Sequence, residues 1–220
     1  MHETVKNLIN IQNIIKLNLS DIKFKDRSPK IIAVSKTFKL EHIMPLIDYG
    51  HVDFGENKVQ EALDKWTDIK LNNKNIRIHL IGKLQTNKVK HAIKIFDFIH
   101  SLDSKKLADK ISEEQKKLKI KPKIFIQVNI GNEPRKGGIK VDELEEFYKY
   151  CLEIDLDIIG IMCLPPINDD PEKYFLRMNF LNKKLKFKEL SMGMSADYVE
   201  AIKYHATYLR IGSKIFGERI

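Results

Sequence analysis

Apolar residues along this chain fall into short runs that alternate with longer helical patterns. The first run covers residues 31–34, and Ser35 and Lys36 follow it directly. A short apolar run rich in β-branched residues predicts a strand that is buried on both faces. Residues 41–49 then carry apolar positions at helical spacing, and Gly50 ends that pattern. The order predicts a strand followed by a helix, which is the repeating unit of a parallel α/β sheet.

The same unit recurs to the end of the sequence with no linker or low-complexity tract between repeats. Residues 4–19 add a helical apolar stripe in front, and residues 20–30 form a polar connection to the first strand. Further strands are predicted at 52–54, 77–81, 98–102, 124–129, 158–163, 189–194 and 208–212, and further helices at 58–67, 87–96, 105–118, 141–151, 171–185 and 196–204. Eight units with an extra N-terminal helix favour an α/β fold in which residues 1–220 form a single (β/α)8 TIM barrel domain. An open doubly wound sheet is the alternative, although no GxGxxG motif follows the first strand.

Composition narrows the class of protein. The chain has 220 residues, of which 43% are hydrophobic, so it can bury a sizeable core. No apolar run approaches the ~18 residues of a membrane span, and residues 1–20 lack the features of a secretory signal. Cys151 and Cys163 have no metal-like spacing, so we expect no metal site, no disulfide and a cytoplasmic location. The net charge of +9 is spread along the chain without a nucleic-acid-binding motif, so nucleic-acid binding is a minor hypothesis.

Polar side chains follow several predicted strands, at the point where parallel strands would end on one rim of a barrel. Lys36 follows the first strand, Asn57 the second, Ser195 the seventh, and Gly212 and Ser213 the eighth. The rim after strands seven and eight often binds phosphate through backbone N–H groups. Gly212 would let an anion approach the backbone, and the serine hydroxyls can donate hydrogen bonds. Ordinary helix capping by the two serines is the alternative.

Lys36 and Arg210 are the charged residues that this rim could use chemically. A lysine that is partly desolvated at a barrel mouth can form a Schiff base, and pyridoxal 5'-phosphate (PLP) offers both an aldehyde and a phosphate. Arg210 shares one face of strand eight with Gly212, and its guanidinium could hydrogen-bond the pyridine nitrogen. Lys36 could instead be a solvated strand end. Arg210 could instead form a salt bridge, for which the candidate carboxylates are Glu56, Asp197 and Glu218.

Short motifs in a fixed order extend from residue 33 to residue 217. They are AVSKT at 33–37, FGEN at 54–57, VQE at 59–61, HLIGKLQTNK at 79–88, IQVN at 126–129, KGG at 136–138, GIM at 160–162, LSMGMS at 190–195 with Asp197, RIGS at 210–213 and IFG at 215–217. With these motifs, the sequence resembles the YggS/PROSC family, the pyridoxal phosphate homeostasis proteins. Each motif is weak alone, and together they are highly specific.

The resemblance implies a barrel like the N-terminal domain of alanine racemase (PLP fold type III). It implies PLP as the cofactor, bound as a Schiff base on Lys36. The implied cofactor-binding set is Lys36, Asn57, Lys136, Ser195, Arg210, Gly212 and Ser213, in which Ser195, Gly212 and Ser213 hold the phosphate, Arg210 faces the ring nitrogen, Asn57 lines the pocket and Lys136 is a secondary contact. The family often has a glycine and a serine before the last strand, where this chain has His205 and Ala206, so the hydrogen bond of that serine is in question.

The expected function is therefore to bind PLP and to help maintain its intracellular supply, with PLP-requiring apo-enzymes as possible partners and a monomer as the expected state. A PLP-dependent amino-acid racemase of low activity is the alternative. The sequence ends eight residues after Gly212, so we expect no second domain that could supply a catalytic base. A ring nitrogen beside Arg210 would also remain unprotonated, which weakens the cofactor as an electron sink.

Other reactive residue types have ordinary structural interpretations. His79 lies inside a predicted strand and could sit under the cofactor ring, but a hydrogen-bonded core histidine is the preferred interpretation. Cys163 could be a reactive thiol, and a small buried hydrophobe is the preferred interpretation. The methionines near the strand ends are expected to fill the barrel; they are Met162, Met192 and Met194.

Overall fold

The protein folds as a closed barrel of eight parallel strands, with helices on its outside. The structure is a computed structural model, and it describes residues 1–20 and 28–218. The predicted polar connection at 20–30 lies for the most part outside these residues. The strands are β1 (Lys30–Val34), β2 (Asp53–Glu56), β3 (Arg77–Leu80), β4 (Phe98–Leu102), β5 (Lys123–Val128), β6 (Asp157–Cys163), β7 (Glu189–Met194) and β8 (Tyr208–Ile211).

Each strand is followed by a helix, and one further helix precedes the first strand. The helices are α1 (Glu3–Ser20), α2 (Leu40–Asp48), α3 (Val59–Asn72), α4 (Val89–Ile95), α5 (Lys105–Leu118), α6 (Leu144–Glu153), α7 (Pro171–Lys184), α8 (Tyr198–Lys203) and α9 (Ser213–Phe216), with a 3-10 turn at Thr86–Lys88 before α4. The predicted barrel and its extra N-terminal helix are confirmed. The open sheet is wrong, because β8 pairs with β1 and closes the ring.

The end of β1 agrees with the predicted apolar run at residues 31–34. That strand ends at Val34, so Ser35 and Lys36 lie in the turn that follows it. Ser35 N still donates to Gly55 O at 3.0 Å, which keeps the chain beside β2 for one more residue. Lys36 therefore lies in a turn at the barrel mouth.

The apolar core has two parts, one inside the barrel and one between the strands and the helices. The interior part is small, and it consists of Ile32, Phe98, Phe125, Met162 and Tyr208. The outer part is far larger because each helix lays one apolar face on the sheet, as barrels of this type require. The three methionines divide accordingly: Met162 fills the barrel, Met192 packs in the outer core, and Met194 is 37% exposed at the barrel mouth. The prediction that these methionines fill the barrel is therefore confirmed for Met162 and wrong for Met192 and Met194.

The extra helix α1 supports the last elements of the chain. Its buried residues Val5, Leu8, Ile11 and Ile15 form one face, and the helix packs between α2 on one side and α8 and α9 on the other. The side-chain amide of Asn7 donates to Ile215 O at 3.0 Å. This hydrogen bond anchors the short helix α9, which follows β8 at the barrel mouth.

Across residues 1–20 and 28–218, no helix combines the length and the apolar character needed to cross a bilayer. The same residues contain no group of three or more His, Cys, Asp or Glu side chains placed to hold a metal ion.

Candidate functional site

A cavity of about 630 Å³ opens at the carboxyl end of the barrel strands. Its walls combine apolar side chains with lysine, arginine, serine and asparagine. The structure brings together all seven residues that the sequence singled out, and each of them lines this cavity: Lys36, Asn57, Lys136, Ser195, Arg210, Gly212 and Ser213. A concave, largely apolar site with a few convergent polar groups is typical of a small-molecule or cofactor site.

The turn that carries Lys36 is held by a buried ionic group on both sides. Before it, the Ser35 hydroxyl donates to Glu56 Oε1 at 2.8 Å. Lys65 Nζ, on α3, donates to the same carboxylate oxygen at 2.9 Å and to Ser35 O at 3.0 Å. The indole N–H of Trp66 adds a third donor to Glu56 Oε1 at 3.0 Å. The backbone just before Lys36 is therefore fixed from the helix layer.

The residue after Lys36 is fixed by the same helix. Thr37 has φ +69°, which is unfavourable for a β-branched residue. Its backbone N–H donates to Glu61 Oε1 at 2.6 Å, and Glu61 in turn pairs with Lys65 at 3.1 Å. Backbone strain of this kind persists only where the surroundings enforce it, and it occurs often at functional sites. We refer to Ser35, Thr37, Glu56, Glu61 and Lys65 as the Lys65 clamp.

The carboxylates of the clamp differ in their environments. Burial raises the pKa of Glu56, and the attraction of Lys65 and the hydrogen bonds from Trp66, Lys65 and Ser35 oppose it in part. The second oxygen, Glu56 Oε2, is buried and has no hydrogen-bond partner in the described part of the chain. For Glu61, burial acts to raise the pKa, but the Thr37 N–H and Lys65 outweigh it and lower the pKa. Lys65 therefore compensates two carboxylates beneath the Lys36 turn.

A group of hydrogen-bond donors follows β7 and β8. The backbone N–H groups of Gly212 and Lys214 both donate to Ser195 Oγ, at 3.1 and 3.4 Å. Ser195 is half-buried, whereas Ser213, the first residue of α9, is exposed. The Gly212 and Lys214 N–H groups thus converge on Ser195 Oγ, and Ser195, Gly212 and Ser213 line the cavity at this place. The arrangement suits an anion such as a phosphate.

Gly212 is not required by the conformation of its own backbone. It has φ −114°, and an added Cβ would lie 3.4 Å from Val34 Cβ, so a small side chain meets only close packing there. Gly212 lines the cavity, and its backbone N–H donates to Ser195 Oγ there. The donors and the open space fit a phosphate group in this place.

Arg210 is almost completely buried, with 3% of its surface exposed, and it reaches the cavity wall. One terminal nitrogen, Nη1, donates to Ser191 Oγ at 2.6 Å, and the other, Nη2, donates to Cys163 O at 2.8 Å. Burial lowers the pKa of the guanidinium, which retains its charge. The hydrogen-bond partners of the Arg210 guanidinium, Ser191 Oγ and Cys163 O, are therefore both neutral.

The alternative that Arg210 forms a salt bridge is wrong for the described residues. Its candidate carboxylates were Glu56, Asp197 and Glu218. Glu56 pairs instead with Lys65, and Asp197 accepts from Met194 N and affects Arg210 only at longer range. No ion pair of Arg210 within 4.0 Å occurs in residues 1–20 and 28–218.

Asn57 and Lys136 complete the polar part of the cavity wall. Gly82 packs against Asn57, since an added Cβ would lie 2.3 Å from Asn57 O. Asn57 Oδ1 is buried without a hydrogen-bond partner among the described residues, so it is available to a ligand donor. Lys136 Nζ donates to Glu133 Oε2 at 2.6 Å and to Pro165 O at 3.1 Å. These contacts hold the Lys136 ammonium at the rim.

The structure also answers the questions that the sequence raised about Cys163 and about His205 with Ala206. Burial raises the pKa of Cys163 to about 12, so the thiol is protonated and the buried-hydrophobe interpretation is confirmed. His205 has φ +66°, the left-handed region that glycine enters at least cost, which explains why a glycine suits this position. Ala206 is buried in the outer core, and it offers no hydroxyl for the hydrogen bond that was in question.

Sequence reasoning missed residues that support this site from outside the cavity. Lys65 is one of them, and the only signal for it was its i,i+4 spacing from Glu61. Others lie inside the barrel, where Ser191 and His100 contact each other at 2.9 Å. His79 is fully buried and hydrogen-bonded, as its preferred interpretation held. The sequence signal that could have identified Ser191 and His100 was a polar residue at an inward-facing position of an otherwise apolar strand.

Comparison with protein families and known proteins gives a consistent result. Residues 9–220 match the family model of the alanine racemase N-terminal domain. A protein named pyridoxal phosphate homeostasis protein from Aquifex aeolicus (strain VF5) is 40% identical over 200 residues, which cover 86% of this chain and 87% of that protein.

Solved structures agree with this match. PipY of Synechococcus elongatus PCC7942, solved with PLP bound, has a TM-score of 0.80 and 30% identity, covering 92% of this chain and 100% of PipY. An alanine racemase from Clostridium difficile 630 has a TM-score of 0.70 at 16% identity, covering 94% of this chain and 57% of the racemase. The latter likeness concerns the fold alone.

Proposed function

Because the chain belongs to the family of the alanine racemase N-terminal domain, we propose that it binds PLP at the barrel mouth and helps maintain the cellular supply of this cofactor. The observation that carries the proposal is one cavity lined both by Lys36 and by Ser195, Gly212 and Ser213, whose hydroxyl and backbone donors suit an anion. An amine and such donors in one cavity match the aldehyde and the phosphate of PLP. The similarity to proteins named for pyridoxal phosphate homeostasis supports the same function.

The proposal includes a Schiff base on Lys36. Its Nζ would add to the aldehyde carbon of PLP, water would leave, and a C=N bond would join the cofactor to the protein. Lys36 is half-buried and lines the cavity, so its amine would lie beside a bound cofactor. The Lys65 clamp contributes by fixing the backbone on both sides of Lys36, so that the amine starts from a defined position.

The other cavity residues would hold the remaining parts of the cofactor. The Gly212 and Lys214 N–H groups would exchange Ser195 Oγ for phosphate oxygens, with the Ser195 and Ser213 hydroxyls as further donors. Arg210 would present a cationic donor to the pyridine nitrogen, and PLP would supply an electron-accepting ring whose strength this arginine limits.

Asn57 Oδ1 would accept a hydrogen bond from the ligand. Lys136 would make a secondary contact at the rim. Neither contact alters the assignment of Lys36 as the attachment point.

A binding role is favoured over catalysis by the composition of the cavity wall. Among the described residues, its titratable side chains are Lys36, Lys136 and Arg210, with no carboxylate, histidine, cysteine or tyrosine. A racemase needs a second acid–base group, and Lys136 is the one observation in favour of that alternative. Its Nζ is engaged by Glu133 and Pro165 O. Deuterium exchange at Cα of amino acids tests it: none is expected, and sustained exchange would establish an enzyme.

The proposed physiological setting follows from the same role. We propose a cytoplasmic monomer, one barrel domain over residues 1–220, that supplies PLP to PLP-requiring apo-enzymes. A binding protein without a strong catalytic group can hold a reactive aldehyde without consuming it.

Absorbance spectroscopy with chemical trapping tests the attachment. Purified protein mixed with PLP should gain a Schiff-base absorbance band, and borohydride should fix the cofactor on the peptide that contains Lys36. Lys36→Ala should lose both signals. Lys39→Ala is the matched control, since Lys39 is exposed and outside the cavity, and it should retain both. Trapping on another lysine in the wild type would overturn the assignment.

A further inference from the structure

The barrel interior contains a continuous column of hydrogen-bonded polar side chains that ends at Arg210. Ser191 Oγ lies 2.6 Å from Arg210 Nη1 and 2.9 Å from His100 Nδ1. His100 Nε2 lies 3.0 Å from His79 Nδ1, and His79 Nε2 lies 2.9 Å from Asp53 Oδ1. The column thus connects the cavity at the carboxyl ends of the strands with Asp53, the first residue of β2, at their opposite ends.

The direction of each hydrogen bond follows from the chemistry of the groups. An ionised carboxylate can only accept, so a neutral His79 carries its proton on Nε2 and donates to Asp53, which leaves His79 Nδ1 as an acceptor. A neutral His100 then carries its proton on Nε2 and donates to His79 Nδ1, which leaves His100 Nδ1 to accept from the Ser191 hydroxyl. A guanidinium can only donate, so Ser191 Oγ in turn accepts from Arg210. Every donor points from Arg210 towards Asp53.

Burial favours the neutral histidines that this direction requires, and the surrounding charges act in both directions. Burial lowers the pKa of both imidazoles. For His79, the hydrogen bond and charge of Asp53 and the charge of Asp97 oppose burial, whereas Arg77 assists it. For His100, His79 and Arg210 lower the pKa further.

Aromatic packing holds the two imidazole rings in their orientations. His79 stacks on Phe98 with ring centroids 4.2 Å apart, and His100 stacks on Phe125 with centroids 4.3 Å apart. Tyr208 contacts both imidazoles from the side. Both histidines are fully buried, so a change of ring orientation would require movement of the whole interior core.

The column also accounts for a buried cation without a carboxylate in contact. Arg210 has only Ser191 and Cys163 O as hydrogen-bond partners in the described chain. A buried charge in such surroundings is costly unless oriented dipoles stabilise it. The negative charge at the far end, Asp53, is itself fixed by Arg77 through two hydrogen bonds of 2.7 and 2.6 Å. The aligned dipoles therefore present their negative ends to Arg210.

We propose that Ser191 and His100 are positioning residues for Arg210, and that the column from Asp53 holds the guanidinium as a fixed cationic donor at the cavity wall. The proposal rests on the function proposed above in one respect, because the group that Arg210 would meet there is the ring of PLP. Ser191 and His100 do not line the cavity, so they act through Arg210 alone.

Nitrogen-15 NMR of the ligand-free protein tests the column without any cofactor. In the wild type, His79 and His100 should both be neutral and carry the proton on Nε2 between about pH 5 and 8. In Ser191→Ala, the Arg210 Nη signals should broaden, and the His100 Nδ1 signal should shift because this nitrogen loses the hydroxyl that donates to it. Ser101→Ala is the matched control, because Ser101 is buried beside His100 and its hydroxyl has no hydrogen-bond partner among the described residues. It should retain the wild-type signals.

The wild-type measurement keeps the proposal falsifiable even if a variant fails to fold. A proton on Nδ1 of either histidine, or a doubly protonated ring in that pH range, would overturn the column. Unchanged Arg210 and His100 signals in a folded Ser191→Ala variant would overturn it as well. Ser191→Thr retains the hydroxyl, and it should restore the wild-type pattern.

PLP titration tests the positioning role. The Kd for PLP should rise roughly tenfold in Ser191→Ala. An Arg210 guanidinium that is no longer held in place would lose its charged hydrogen bond to the PLP ring, and a loss of that kind has about this effect. The bound-cofactor spectrum should also become pH-dependent, since a mobile arginine no longer disfavours ring protonation. Ser101→Ala should match the wild type in both measurements.

The two proposals fail in different ways. An unchanged Kd and spectrum in Ser191→Ala would overturn the positioning role and leave PLP binding intact. No PLP binding by the wild type, with the NMR pattern present, would overturn the proposed function and leave the column.

Discussion

Lys65 is the residue on which the Lys36 turn depends most directly. Its ammonium group contacts Glu56, Glu61 and the carbonyl oxygen of Ser35. The Lys65 side chain is only 9% exposed, and that of Glu56 is fully buried. A buried ion pair does not need to be strongly stabilising in itself, but removal of one partner leaves an uncompensated buried charge.

We therefore expect Lys65→Met to lower the free energy of unfolding by about 3 kcal/mol. Urea denaturation would measure the change. The control is Lys149→Met, which breaks another i,i+4 pair, with Glu145, between exposed side chains, and it should cause no measurable loss. Glu56→Gln added to Lys65→Met should recover part of the stability, because no buried charge remains. Equal, small losses in both lysine variants would contradict this account of the clamp.

A second prediction at the residue scale concerns Asp53. Burial would raise its pKa, but the hydrogen bonds from His79 and Arg77 outweigh burial and lower it from 3.8 to about 2. A carboxyl group with a lowered pKa stabilises the fold above its unfolded pKa and loses that contribution as the pH falls through its folded pKa. Asp53 should therefore contribute about 2 kcal/mol that disappears between about pH 5 and pH 2.

Urea denaturation as a function of pH would measure this contribution. Asp53→Asn should lack the acid-dependent component and so show a flatter profile in that range. Asp169 is the control: Lys173 and Tyr174 also lower its pKa to about 2, but it lies at the surface. Asp169→Asn should keep the wild-type slope, since solvent screens surface pairs. Parallel profiles for wild type and Asp53→Asn would refute the assignment.

At the scale of elements, the packing of α8 against β7 sets the position of Ser195. Gly193 in β7 has φ +89°, and an added Cβ would lie 2.7 Å from Ala201 Cβ in α8 and 3.0 Å from Leu209 Cδ2 in β8. A side chain at this position is therefore excluded by both conformation and space. The close contact brings α8 onto the sheet two residues before the serine of the cavity wall.

Gly193→Ala should lower the free energy of unfolding by about 3 kcal/mol, because it combines a left-handed backbone with overpacking. Gly50→Ala is the control, since Gly50 has φ +94° and no atom within 4 Å of an added Cβ. It should cost only about 1 kcal/mol. Thermal or urea unfolding of the two variants measures the difference. Equal losses of stability would show that α8 can shift away from β7 at no cost in free energy.

At the scale of the whole molecule, barrel closure concentrates positive charge around one cavity. Lys36 and Lys136 come from loops far apart in the chain, and Arg210 comes from β8. No carboxylate lines the cavity in the described part of the chain. The net charge of +9 is distributed along the whole chain. The three positive side chains at the cavity would attract an anionic ligand such as a phosphate.

Ligand binding should therefore stabilise the entire fold. At a PLP concentration 100 times its Kd, linkage gives about 2.7 kcal/mol, which corresponds to a rise in Tm of about 5 to 10 °C for a chain of this size. Differential scanning fluorimetry would measure the shift. Lys36→Ala should reduce it, and pyridoxamine 5'-phosphate, which lacks the aldehyde, should produce a smaller shift in the wild type. Equal shifts with both ligands would exclude a covalent contribution from Lys36.

Periodicity and strand-end residues were sufficient to predict the barrel and six of the residues that line the cavity, whereas Lys136 was named only through the family resemblance. The eight apolar runs must be buried on both faces, and parallel strands place the residues that follow them on one rim. The location of Lys36, Asn57, Ser195 and Gly212 follows from that geometry alone. Their roles toward PLP remain proposals, since position in a cavity does not establish a bond.

The tertiary structure alone decided what supports those residues. The contact between Lys65 and Glu56 joins α3 to the end of β2, and the contacts of Arg210 with Ser191 and Cys163 O join three neighbouring strands. Local sequence predicts a strand or a helix from periodicity, whereas partners across strands depend on register, which barrel closure fixes. For that reason the sequence could name Lys36 and Arg210 but could not show that a clamp holds one and a hydrogen-bonded column holds the other.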